Sequence, residues 1–196
     1  MKKRDFTREI FQSPQTVFTA KEIALILAET NRDILKSKIN YYVKKGILRA
    51  VRRGVYVKQN YNIFELATKI YTPSYISLET VLAKEGVIFQ YYKTIFVVSY
   101  LSRKIEVDNH QIQLRKIKES ILTNTTGLVQ ENNYFIATKE RAFLDALYLY
   151  KDYYFDNLEI LDKRKILKLA EIYKIKALTK KLKRIFDKSY VRHPKT

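Results

Sequence analysis

One stretch of the sequence carries residue types that bind nucleic acid, at the spacing of a helix face. Asparagine and arginine form paired hydrogen bonds with base edges, whereas lysine and serine favour phosphate oxygens. With Leu35, Ile39 and Val43 facing inward, helical spacing turns a polar and basic arc outward. The arc holds Arg32, Lys36, Ser37, Asn40 and Lys44, and the chain continues with Arg49, Arg52 and Arg53. We therefore predict that these residues contact DNA.

Two helices that would hold this arc are predicted from local capping signals. The sequence Thr-Ala-Lys-Glu at 19–22 has the form of a capping box, in which threonine and glutamate satisfy unpaired amides at a helix start. Asn31 can cap the second helix, and Gly46 stands where a helix end favours a positive φ. The two helices and their short connection predict a helix-turn-helix.

A basic hairpin is predicted directly after the second helix. Strands at 47–48 and 55–57 flank the turn Arg52-Arg53-Gly54, with glycine at its tip. A helix-turn-helix followed by such a hairpin is a winged helix, which lays its second helix in the major groove and its hairpin against the backbone or minor groove. We assign it to a first domain at 1–60. Winged helices also dock proteins, which is the alternative for this domain.

A second basic segment lies near the end of the chain. Leu178, Leu182, Ile185 and Phe186 repeat at helical spacing and predict a face packed on the protein. The cations that project elsewhere are Lys176, Lys180, Lys181, Lys183 and Arg184. They predict contact with a nucleic-acid backbone, and a solvated face is the alternative. A lipid anchor is disfavoured, because the helix is short and its apolar face is needed in the core.

The charge distribution agrees with a polyanionic partner. The 196 residues carry a formal net charge of +18. Residues 1–60 contain 14 Lys and Arg against 5 acidic residues, residues 61–159 contain 11 against 12, and residues 160–196 contain 13 against 3. Two basic ends thus flank a neutral middle, which favours nucleic acid over an anionic membrane surface. If both ends lie on one face, they would grip and bend one DNA segment.

Several other classes of function are disfavoured by the composition. The absence of cysteine excludes disulfides, thiol catalysis and cysteine-based zinc sites. The two histidines, His110 and His193, lack carboxylates at metal-ligand spacing, and the glycines are too scattered for a phosphate loop. We expect no enzyme activity, metal or cofactor. The start of the chain does not read as a signal peptide and no run of eighteen apolar residues occurs, so we expect a cytoplasmic protein with no membrane partner.

The remainder of the chain, 61–196, is predicted to be a larger domain, which makes the fold class α+β. A short polar linker at 59–62 spans the boundary between the two domains, and a mixed or antiparallel sheet flanked by helices is expected. Ser77 is predicted to cap a helix that Gly86 ends. Further helices are predicted at 5–11, 63–70, 139–150, 162–173 and 176–188, and further strands at 17–18, 87–91, 94–100, 103–107, 111–115, 127–129 and 134–136.

Three stretches in order resemble the AbiE-type antitoxins of type IV toxin–antitoxin and phage abortive-infection systems. They are the winged helix ending in RRGVYV, then YISLETVLAKEGVI, then ATKERAFLDALYLY, followed by the basic helical tail. The resemblance runs from Thr19 to Phe186. It implies a bacterial transcriptional autorepressor whose winged helix binds inverted repeats in the promoter of its own operon. It also implies that the second domain supports operator binding and counters a nucleotidyltransferase-like toxin without a stable complex.

Some residues can be carried over from this resemblance one by one. Arg52, Arg53 and Tyr56 match the family's DNA-binding module by position. The recurring motifs of the second domain contain Ser77, Glu79, Thr80, Arg141 and Asp145. Arg141 and Asp145 are four residues apart on one predicted helix, so we interpret them as a structural ion pair.

Two other functions remain open from the residues alone. One is a plain winged-helix transcription regulator whose second domain senses a ligand, which an apolar pocket with convergent polar groups would support. The other is an RNA-binding protein, because the charge suits RNA as well as DNA.

Overall fold

The computed structural model describes residues 6–189, an α+β chain that we divide into an N-terminal unit, 6–58, and a C-terminal unit, 61–189. The N-terminal unit contains α1 (Phe6–Gln12), β1 (Val17–Thr19), α2 (Ala20–Leu27), α3 (Arg32–Lys44), β2 (Arg49–Arg52) and β3 (Val55–Val57). The C-terminal unit contains α4 (Ile63–Lys69), β4 (Ser74–Ile76), α5 (Glu79–Lys84), β5 (Ile95–Ser99), β6 (Arg103–Val107), β7 (His110–Lys116), α6 (Glu119–Leu122), β8 (Leu128–Glu131), β9 (Tyr134–Ala137), α7 (Lys139–Leu149), α8 (Lys163–Ala170) and α9 (Lys176–Ser189).

The predicted caps of α2 and α3 are confirmed. The Glu22 amide donates to the Thr19 hydroxyl at 3.2 Å, and the Thr19 amide donates to the Glu22 carboxylate at 2.6 Å, which completes a capping box. The Asn31 side chain accepts hydrogen bonds from the first amides of α3. Gly46 has a φ of +71°, the left-handed conformation that terminates a helix without a Cβ clash.

A three-stranded antiparallel sheet closes the N-terminal unit, in the order β1-β3-β2. The strand predicted at 17–18 is confirmed as β1, which pairs with β3 of the hairpin. Apolar side chains from α1, β1, α2, α3 and the segment before β2 form one buried cluster, namely Phe6, Ile10, Phe18, Ile23, Ile39 and Leu48. Burial of this cluster holds α3 against the rest of the unit and leaves its opposite face in solvent.

The C-terminal unit is built on a mixed six-stranded sheet, in the order β6-β7-β5-β4-β9-β8. Two strand pairs are parallel, β5 with β7 and β4 with β9, and the other neighbours are antiparallel. Helices α5, α7, α8 and α9 contribute to its main core through residues such as Leu82, Phe143, Leu169 and Leu182. The sequence thus predicted a mixed or antiparallel sheet, and the sheet is mixed.

Several predicted elements differ from the structure. The predicted strand at 87–91 is irregular, because the Val87 carbonyl accepts from the amides of Asp156 and Asn157 in another loop. Ser77 does not cap α5: Leu78 holds the cap position, and the Ser77 hydroxyl donates to Asp145 instead. The predicted strand at 47–48 begins two residues later, as β2. The short β4 and α6 were not predicted from sequence.

The two units are joined through the buried carboxylate of Glu65 on α4. Its oxygens accept hydrogen bonds from the Thr16 amide at 3.0 Å, the Thr16 hydroxyl at 2.6 Å and the Val17 amide at 3.3 Å. Around this point five apolar side chains from both units pack together, namely Val17, Val55, Val57, Leu66 and Val107. The two units therefore share a buried, hydrogen-bonded carboxylate and an apolar cluster at this junction.

Candidate nucleic-acid interface

The residues predicted for the outward face of α3 are exposed in the structure, but Arg32 and Lys36 lie only about 20° and 60° around the helix from Ile39, on the side that packs inward. Ile39 is buried, whereas all five predicted contact residues are exposed, Arg32, Lys36, Ser37, Asn40 and Lys44. Within residues 6–189, none of these five side chains forms a hydrogen bond or an ion pair. Their backbone groups take part only in the hydrogen bonds of the helix. Their polar groups therefore remain available to a ligand.

The helix phase adds one residue that the sequence analysis did not single out. At about 100° per residue, Ser37, Tyr41 and Lys44 lie roughly 140–160° around the helix from Ile39. Tyr41 is 55% exposed, and the Lys45 ammonium lies 5.8 Å from the centre of its ring. An exposed phenol beside an ammonium group suits a phosphate contact. The i, i+4 and i+7 spacing of Ser37, Tyr41 and Lys44 was the available signal in the sequence.

Arg49 is exposed but already forms an ion pair within the protein. Its two terminal nitrogens donate to the two carboxylate oxygens of Asp108 at 2.6 and 2.7 Å, and the Tyr61 hydroxyl donates to the same carboxylate. Asp108 lies in the turn between β6 and β7, so this contact ties β2 to the C-terminal unit. The hydrogen bonds from Arg49 and Tyr61 lower the pKa of Asp108 well below its ordinary value. Arg49 thus differs from the free DNA-contacting cation that the sequence suggested.

Replacing Asp108 with asparagine is expected to remove an acid-sensitive part of the stability. Because the folded-state pKa is lowered, the carboxylate stabilises the fold above about pH 4, and this stabilisation is lost as pH falls through the lowered pKa. The unfolding free energy of the wild type should exceed that of D108N by a constant amount above about pH 5, and the difference should shrink below about pH 4. Urea unfolding across this pH range measures the difference, and a pH-independent difference contradicts the prediction.

Arg52 and Arg53 have different surroundings, although they are adjacent in the hairpin. Arg53 is exposed beside Gly54, whose φ of +77° forms the turn. Arg52 is half-buried and donates to the Tyr71 hydroxyl at 2.8 Å. Arg103 on β6 donates to the same hydroxyl oxygen, also at 2.8 Å. Neither Arg103 nor Tyr71 was predicted from sequence as a contact residue.

The terminal helix α9 has the predicted apolar face. Leu178 and Leu182 are buried, and four of the five predicted cations are exposed, Lys176, Lys180, Lys183 and Arg184. Lys181 differs from the expectation, because its ammonium donates to the backbone carbonyls of Leu147 and Tyr150 at 2.9 and 2.7 Å. It therefore binds the end of α7 and does not project into solvent. Helix α8 adds further exposed cations, Lys163, Arg164, Lys165 and Lys168.

Arg141 and Asp145 form a buried structural pair, as their spacing predicted. Both side chains are fully buried, and the Arg141 Nε lies 3.4 Å from Asp145. The carboxylate also accepts hydrogen bonds from three hydroxyls, those of Tyr75 at 3.0 Å, Ser77 at 2.8 Å and Tyr173 at 2.6 Å. The Arg141 guanidinium donates further to the carbonyls of Ile121 and Thr126, each at 2.8 Å. The pair is enclosed on every side and hydrogen-bonded to its surroundings, so it is part of the core and has no access to a substrate.

A cavity of about 570 Å³ lies between α5, the start of α4 and the loop 86–94. Phe64, Tyr91 and Tyr92 contribute aromatic walls, and Glu79 and Thr80 contribute polar groups. Glu79 is 6% exposed and accepts a hydrogen bond from Tyr150 at 3.2 Å; burial raises its pKa above the ordinary value. Thr80 is already used, because its hydroxyl accepts from the Phe96 amide at 2.7 Å.

In the range 6–189, no group of three His, Cys, Asp or Glu side chains is placed to hold a metal ion. Over the same range, no helix combines the length and the apolar character that crossing a membrane requires. His110 is exposed at the start of β7, and His193 lies outside the described residues.

Comparison with known proteins adds no relative. No protein-family model matches the chain, and a search of curated proteins finds no match.

Proposed function

We propose that this protein is a sequence-specific DNA-binding repressor of its own operon, acting as an AbiE-type antitoxin. The observation that carries the proposal is the set of five polar or basic side chains on α3 that are exposed and have no side-chain partner within the described chain. The helix has 13 residues and is therefore about 20 Å long at 1.5 Å per residue. The major groove of B-DNA is wide enough to admit an α-helix.

The surrounding elements support a winged helix-turn-helix. Helices α2 and α3 are followed at once by the β2–β3 hairpin, and β1 completes a small antiparallel sheet. When α3 lies in the major groove of such a module, the hairpin approaches the adjacent backbone or minor groove. Arg53 at the exposed turn would then contact phosphate or the minor-groove edge.

The role as an antitoxin rests on the resemblance of the motifs and on charge. The exposed cations of α8 and α9 would supply additional phosphate contacts, which agrees with a second domain that supports operator binding. The operator would consist of inverted repeats in the protein's own promoter, each bound by one winged helix. The partner toxin would be nucleotidyltransferase-like and would be countered without a stable complex.

A reporter gene fused to the protein's own promoter tests this proposal. Expression of the wild-type chain should lower reporter output, and scrambling the inverted repeats should abolish the effect. A variant carrying Asn40→Ala and Lys44→Ala should not repress, because both changes remove groups from the exposed face of α3. Co-expression of the protein should restore growth to cells that express a toxic neighbouring gene. Reporter output that does not respond to the protein contradicts the proposal.

The cavity beside α5 favours a second candidate, a winged-helix regulator that senses a ligand. It combines aromatic walls with the buried carboxylate of Glu79, and it borders Phe64 on α4. Because Glu65 of the same helix is bonded to the N-terminal unit, occupancy of the cavity would be transmitted to it. Native mass spectrometry of the purified protein tests this candidate: a bound compound of constant mass supports it, and the mass of the chain alone contradicts it.

A further inference from the structure

Two arginines from different units converge on one tyrosine at the junction of the hairpin with the sheet. The Nη2 atom of Arg52 and the Nη1 atom of Arg103 each lie 2.8 Å from the Tyr71 hydroxyl oxygen, so these nitrogens are at most twice that distance apart. Both guanidinium groups also lie over the Tyr71 ring, 5.1 and 5.9 Å from its centre. The arrangement concentrates two positive charges on one hydroxyl.

The position of Arg103 follows from the alternation of side chains along β6. Ile105 packs against the apolar cluster at the junction, and Val107 belongs to it. Residues two apart in a strand point to the same face, so Arg103 faces the N-terminal unit as well. Lys104 points to the opposite face and is exposed.

The two arginines of β2 that reach the C-terminal unit provide an internal comparison. Arg49 meets the carboxylate of Asp108, which neutralises its charge. Arg52 meets a second arginine, and within the part of the chain that the structure describes no carboxylate lies within 4.0 Å of Arg52 or Arg103. Like charges held this close repel unless an anion lies between them. The two positive charges of Arg52 and Arg103 are therefore not neutralised by a carboxylate within the described chain.

The chemistry of the three side chains specifies the missing anion. Guanidinium groups bind phosphate oxygens through paired, charge-assisted hydrogen bonds. The Tyr71 oxygen accepts from both arginines, so its own proton remains available to donate to a further acceptor. Burial opposes ionisation of Tyr71, but the hydrogen bonds and charges of Arg103 and Arg52 lower its pKa below the ordinary value overall. Arg103 is exposed, which leaves the site open to solvent.

We propose that Arg52, Tyr71 and Arg103 together bind one backbone phosphate of the DNA next to the hairpin. The C-terminal unit would then contact DNA through β6, and the hairpin would be positioned by a phosphate that both units share. This inference rests on the proposed function, because it takes the bound polyanion to be duplex DNA. It adds two residues, Tyr71 and Arg103, to the interface.

The test compares R103Q with K104Q, which removes the same charge from the opposite face of the same strand. Fluorescence anisotropy with duplex DNA of the promoter and with a scrambled duplex is measured across a salt series. R103Q should weaken binding to both duplexes to the same extent, because a phosphate contact carries no sequence information. The slope of log K against log salt should fall by about 0.9 for the lost phosphate contact. K104Q should bind like the wild type.

Tyr71→Phe serves as a second variant, because it retains the ring over which both guanidinium groups lie. It should weaken binding while leaving the salt slope unchanged, since no charge is lost. A wild-type slope in R103Q, or equal changes in R103Q and K104Q, overturns the phosphate site and leaves the proposed function standing. Wild-type protein that binds neither duplex overturns both.

Discussion

Replacing Asp145 with alanine is expected to lower the free energy of unfolding by about 3–5 kcal/mol, the usual cost of removing one partner from a buried ion pair. The substitution leaves the Arg141 charge buried, because the guanidinium is fully enclosed. It also removes the acceptor for the hydroxyls of Tyr75, Ser77 and Tyr173. A loss of this size is a large fraction of the roughly 5–15 kcal/mol that stabilises a typical domain.

Urea denaturation followed by far-ultraviolet circular dichroism measures this loss, with Asp152→Ala as the control. Asp152 is exposed, so its removal should change the unfolding free energy by less than about 0.5 kcal/mol. Replacing both members of the pair with apolar residues, Arg141→Met with Asp145→Leu, should be less destabilising than D145A, because no unpaired charge remains. A D145A variant within about 1 kcal/mol of the wild type would mean that the network does not stabilise the C-terminal unit.

Replacing Asn40 with alanine is expected to weaken binding to the promoter duplex by roughly 5- to 150-fold. An asparagine that pairs with adenine in the major groove contributes about 1–3 kcal/mol of discrimination, and each 1.4 kcal/mol corresponds to a factor of ten. Asn40 is exposed about 100° around α3 from the buried Ile39, at the side of the outer face, and its amide is unengaged within the described chain. Binding to a scrambled duplex should change little, because a base contact supplies specificity.

Anisotropy titrations with both duplexes measure this effect, and Gln12→Ala is the control. Gln12 is an exposed amide at the end of α1, which is not part of the proposed interface. Its replacement should leave both affinities unchanged. Equal losses of N40A on the two duplexes would assign Asn40 to the DNA backbone, and an unchanged promoter affinity would remove it from the interface.

The features predicted correctly from sequence are those whose partners are close along the chain. The capping box at Thr19 and Glu22, the Asn31 cap and the left-handed Gly46 each depend on contacts within a few residues. The inward face of α3 also follows from local helical spacing. These signals placed the helix whose outer face we propose for DNA contact.

The features that sequence did not predict depend on distant partners. Arg49 and Lys181 have the type and position of free surface cations, but Arg49 binds Asp108 across the junction and Lys181 binds the end of α7. Ser77 has the residue type of a helix cap, but its hydroxyl donates a hydrogen bond to the buried carboxylate of Asp145, 68 residues away. Only the packing of the folded chain shows whether each of these side chains contacts a distant residue or has the local role that its sequence position suggests.

The interface residues that sequence missed had weaker signals. Tyr41 is exposed whereas Tyr42 beside it is half-buried, and residue type alone does not distinguish these two adjacent tyrosines. Arg103 lies in a strand of alternating character, and its partner Arg52 is 51 positions earlier in the chain. Neither residue could be assigned to the interface until the register of β6 and the phase of α3 were known.

The central claim is that the chain recognises a duplex of defined sequence in its own promoter. One anisotropy competition measures this directly, with labelled promoter duplex at about 150 mM salt, close to physiological ionic strength, and three unlabelled competitors: the same duplex, a scrambled duplex of equal composition, and a structured RNA of equal length. We expect the promoter duplex to compete at least about 1,000-fold better than either of the other two, as specific DNA-binding proteins do. Equal competition by all three nucleic acids would contradict the claim.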